Sequence, residues 1–152
     1  MRAAAYLSLV FAAALAPGQP GDCTLEPSDG RRQASLPNGV TATMSWSACT
    51  SVVKDIVFEW PYEPGFPGAA RGLLERAATL VRDWERVTAL VVSPFGDFAE
   101  ALERRAGTQR AYVPGEALPV TDNGVPGWDG ASVVFSSTDR TTRMTVHYWA
   151  NP

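Results

Sequence analysis

From residue 40 the chain alternates without interruption. Val40, Ala42, Met44, Trp46 and Ala48 fall on one side of an extended backbone, and Thr41, Thr43, Ser45 and Ser47 fall on the other. A period of two with a single apolar side marks a strand that is buried on one face and wet on the other. Such a strand needs neighbours for its backbone and a layer to cover its apolar side. The neighbours are readable nearby. Pro37-Asn38-Gly39 is a turn signal, so the weaker extended stretch 30–36 folds back on 40–48 as a hairpin. A third strand runs over about 52–60, with Ile56, Phe58 and Trp60 on one face and Asp55, Val57 and Glu59 on the other.

The covering layer comes next. After a proline- and glycine-rich loop at 61–68, the spacing predicts a helix over 69–87 whose apolar stripe is Leu73, Ala77, Leu80, Val81, Trp84 and Val87. Residues 88–92 admit either a short strand or the tail of that helix. Asp97 with Glu100 has the spacing of a capping pair and opens a second, shorter helix over 98–105, with Gly107 as its stop. Extended segments are expected at 110–114 and 117–120, then a turn-rich loop at 121–130. A closing hairpin has arms at 132–136 and 143–150, the last with Met144, Val146 and Tyr148 on one side and Thr145, His147 and Trp149 on the other. Strands, then helices, then strands imply an α+β fold: a mainly antiparallel sheet covered on one face by the long amphipathic helix and the second shorter one.

The start of the chain reads differently. Arg2, an apolar run over 3–16 and small residues at its end have the three parts of a signal peptide, and the run is short for a membrane span. The expected organisation is a signal peptide at 1–18, an N-terminal arm at 19–29 and one α+β domain over 30–152. Cleavage is expected between Pro17 and Cys23. The two cysteines, Cys23 and Cys49, both lie beyond the leader, and an oxidising compartment would join them in one disulfide. Twelve arginines against one lysine, Lys54, with abundant alanine, suggest a bacterial source, and the leader with the cysteine pair then places the mature chain in the periplasm or outside the cell. No later stretch is long enough for a membrane span in the mature form.

The formal net charge is −3 and no Lys/Arg run exceeds two residues, so nucleic acid is not an expected partner. His147 is the sole histidine, and no nucleophile motif surrounds it. Asp55 and Glu59 share a strand face, but their backbones would stand about 13 Å apart, beyond the roughly 5–9.5 Å carboxyl separation of glycosidase pairs. Residues 122–129 alternate oxygen side chains with turns, yet lack the ligand spacing of a calcium loop. No metal and no cofactor is expected.

Trp60, Tyr62 and Phe66 gather around the proline-rich loop, and Trp128 lies in another loop. With Glu59 and Glu63 as an acidic rim, these residues form the expected binding surface, an exposed aromatic patch on stiffened loops. The competing fate is that the rings plug the end of the sandwich. The functional expectation is an exported bacterial binding or interaction protein, of inhibitor or immunity type, whose partner is another protein or a cell-envelope ligand. A cell-envelope hydrolase using Asp/Glu residues and a carrier of a small apolar ligand are the alternatives.

Overall fold

The computed structural model describes residues 30–48, 51–93, 96–109, 111–120 and 130–150. The expected leader, Cys23, Cys49 and the loop with Trp128 lie outside them. The expected fold class is the observed one. The elements run β1 (Gly30–Ser35), β2 (Thr41–Ala48), β3 (Val52–Pro61), α1 (Ala70–Thr88), α2 (Phe98–Ala106), β4 (Leu118–Val120), β5 (Gly130–Ser137) and β6 (Thr141–Ala150). The six strands form one antiparallel sheet in the order β1-β2-β3-β6-β5-β4. Two meanders, β1-β2-β3 and β4-β5-β6, therefore meet along β3 and β6, with the helices carrying the chain between them.

Local chemistry accounts for the turns. Asn38 and Gly39 both have positive φ, the conformation that Asn-Gly supplies at least cost between β1 and β2. Asp97 caps α2 by accepting from the Glu100 amide at 2.9 Å. α1 stops at Thr88, because Ala89 turns left-handed (φ 58°) while its amide still reaches the Glu85 carbonyl. Residues 89–92 are thus neither strand nor helix. The segment expected to extend over 110–114 forms no strand in its described part, where a turn at Pro114-Gly115 interrupts it.

One side of the sheet carries the core. Ala42 and Met44, Ile56 and Phe58, Met144 to Tyr148 in alternation, and Val133 and Phe135 are all buried there. The α1 stripe of Leu73, Ala77, Leu80, Val81 and Trp84 joins the same apolar cluster, together with Phe98 and Leu102 of α2. Val87, expected in the stripe, is instead 49% exposed: it sits in the last turn, just before the chain leaves the helix. The helices are tied to each other by Arg82 and Glu103, with Nη2 to Oε2 at 2.7 Å.

Two glycines set the packing of the sheet ends. A Cβ on Gly30 would stand 2.0 Å from the Trp46 ring, and one on Gly130 would stand 2.2 Å from the Trp149 ring. Each indole therefore lies flat across the neighbouring strand at a place where only glycine leaves room. Trp46 does so on the helix side, and Trp149 on the other.

Candidate functional site

Among the described residues, no element covers the sheet face opposite the helices. The residues that point there are the wet members of each alternation. Cross-strand register arranges them in rows. The central row runs Ser45, Asp55, His147, Ser132 across β2, β3, β6 and β5. One row toward the hairpin ends stand Thr43, Val57, Thr145 and Val134. Toward the other end, Trp149 lies between Val53 and Gly130.

Inside that row the His147 Nδ1 hydrogen-bonds the Asp55 carboxylate, across 92 residues of sequence. The imidazole also rests against the Trp149 indole, with ring centroids 5.1 Å apart. Asp55 thus fixes the ring's direction from one side and Trp149 from the other. The indole is in turn seated on Gly130. Two rows away, the Arg143 guanidinium stands 3.8 Å from the Glu59 carboxylate. The result is a flat surface with a fixed aromatic centre, charges of both signs and a surround of Ser, Thr and Val.

Ser132, His147 and Asp55 are triad residue types in one row, but among the described residues no hydrogen bond joins Ser132 to the imidazole. Asp55 and Glu59 do not converge on a shared point; each faces a basic side chain of β6. Among the described residues, no cluster of three or more His, Cys, Asp or Glu has metal-site geometry, and no helix is long and apolar enough to cross a membrane.

The structure brings together part of the expected aromatic patch, but faces it inward. Trp60 is 8% exposed and Phe66 is half-buried. Phe66 packs edge-on between Trp60 (centroids 5.7 Å) and Phe135 (5.3 Å). Glu63 is a buttress within this cluster: it accepts from the Trp60 indole at 3.0 Å and from Arg76 at 2.9 and 3.0 Å. The Arg76 guanidinium lies over both rings, 5.8 Å from the Trp60 centroid and 5.3 Å from that of Phe66. Trp60, Phe66 and Glu63 therefore close the end of the sandwich rather than stand out from it. The loop has turned its apolar rings onto the core and satisfied the one indole N–H that this leaves. Of the three described rings, Tyr62 is the exposed one, at 46%. Glu59 lies on the uncovered face, and Trp128 falls outside the described residues.

What the sequence reading missed is the pairing of Asp55 with His147. The alternation puts both on the wet sides of their strands. The signal that was lacking is the register that joins β3 to β6. Comparison of the chain with family models, with curated proteins and with solved structures found no match.

Proposed function

We propose that this chain is an exported bacterial binding protein, and that it engages a partner protein through the uncovered face of its sheet. The observation that carries the reading is the fixed aromatic centre of that face: Trp149 seated on Gly130, with His147 held between it and Asp55. Rings already held in place lose little freedom on binding, and tryptophan supplies large contact area with few rotors. The Ser and Thr around them can exclude water without opposing any particular partner charge. Export rests on the leader over 3–16, and the proposed Cys23–Cys49 disulfide on the compartment it implies.

The test is affinity capture from the envelope of the chain's own host with wild type and Trp149→Ser side by side. Loss of a central aromatic anchor worth at least about 2 kcal/mol should weaken capture of the specific partner roughly thirtyfold. Equal capture by the two proteins would remove this face as the interface. The same material reports on export: its N-terminus should lie between Pro17 and Cys23, and denaturation without reductant should expose no reactive thiol.

A further inference from the structure

A second feature lies on the other side of the sheet. Lys54 is the only lysine of the chain, and it sits on the helix-facing side of β3. Its neighbours across the ladder are Trp46 and Tyr148, and the same side of β3 continues with Ile56 and Phe58, both fully buried. An ammonium in that row gives up solvation that an apolar side chain would not need. It lies at the edge of a cleft of about 310 Å³ lined by Met44, Trp46, Lys54, Ala89, Leu90 and Val91. That volume is at the lower end of the roughly 300–1,000 Å³ of small-molecule sites.

The cleft is built, not incidental. Its outer wall is the segment after α1, and hydrogen bonds pin that segment residue by residue. The Leu90 amide donates to Thr88 Oγ1 at 3.1 Å, the Val91 carbonyl accepts from Lys54 Nζ at 2.8 Å, and the Val92 amide donates to Glu85 Oε1 at 2.8 Å. The inner wall is the Trp46 ring, held flat across Gly30. Lys54 uses one of its three donors on Val91. Burial lowers the affinity of its amine for the proton, and nearby Glu85 acts the other way. Glu85 is half-buried, its carboxyl raised by burial and lowered by the Val92 amide, and it does not line the cleft. Among the described residues, one wall of an otherwise apolar cleft thus presents a cation with two donors that no protein group takes up.

We propose that this cleft binds a small apolar carboxylate, in the size class of a medium-chain fatty acid. Its carboxylate sits on the Lys54 ammonium and its tail lies along Met44, Trp46 and Leu90. A compact ammonium on a flexible stem suits a monodentate carboxylate that must be met at one point, and it is the one place where this arginine-rich chain uses lysine. The site is independent of the uncovered face, so either can fail without the other.

A single lysine makes the test direct, because selective ¹³C-lysine labelling of the purified protein yields one side-chain signal set. Titration with decanoate should shift it saturably at sub-millimolar concentration, and decanol should bind at least about tenfold more weakly. Lys54→Met carries no lysine signal, so its binding is read by isothermal titration calorimetry alongside wild type: it should bring decanoate and decanol to parity, and Leu90→Trp, which fills the cleft, should abolish both. No saturable shift up to about 1 mM decanoate, a dissociation constant no better than that of a trivial ligand, would overturn the proposal. So would a Lys54→Met protein that still prefers decanoate. If Lys54→Met does not fold, the wild-type comparison decides alone, and equal binding of decanoate and decanol overturns the assignment.

Discussion

Replacing Phe66 by Ala separates an inward-packed loop from a recognition loop. The ring is half-buried, between Trp60, Phe135 and the Arg76 guanidinium. A large aromatic side chain buries about 150–250 Å², so roughly 100 Å² of apolar contact is at stake for a half-buried one. At about 25 cal/mol per Å² that is about 2.5 kcal/mol. Two edge-on ring pairs add about 0.5–1.5 kcal/mol each, and relaxation of the loop returns part of the total. The expected loss is about 2–4 kcal/mol, or on the order of 10 °C in Tm for a domain of this size. Tyr62→Ala, four residues away on the same loop, should stay within about 0.5 kcal/mol of wild type. Thermal unfolding followed by circular dichroism reads both. A Phe66→Ala Tm within about 2 °C of wild type, well short of a 1 kcal/mol loss, would refute the packing argument.

Two further outcomes follow from the core and the sheet ends. Leu80→Ala, at a buried position of the α1 stripe, should cost about 2–5 kcal/mol in urea unfolding, while the exposed Glu75→Ala should cost little; equal losses would mean that the helix face is misassigned. Gly130→Ala should displace the Trp149 ring, shift its indole N–H resonance and cost about 1–3 kcal/mol by overpacking. An unchanged Trp149 signal would show that the ring does not rest on that glycine.

Sequence alone was a good guide wherever the information was periodic. The alternation over 40–48 and 143–150 identified which residues face the helices, and the α1 stripe held from Leu73 to Trp84. Those patterns arise from a repeat of two or 3.6 residues meeting one apolar layer, which a short window records. Val87 continued the pattern and is exposed, because periodicity does not say where the covered surface ends. The loop aromatics were read outward, whereas Trp60 and Phe66 turn inward. That choice depends on Arg76 and Glu63 being in reach, and Arg76 belongs to a different element. Asp55 with His147, and Lys54 with Val91, are likewise contacts between distant segments. Neither register nor helix placement leaves a local trace.

The meeting of the two meanders also bears on how the chain can be made. β6, the last of the described strands in sequence, lies in the middle of the sheet, paired on both sides with strands of about its own length. Until it is synthesised, the apolar side of β3 has no lateral neighbour beyond β2, and a ten-residue strand presents a bare edge. Joining it requires closure of a long loop before any contact rewards it, which makes the step slow as well as late. An emerging chain therefore spends its riskiest interval as two half-sheets with open edges, a state prone to pairing with other chains. A route that keeps β1 to β3 from pairing elsewhere until β6 has emerged would suit this topology better than folding as the chain emerges.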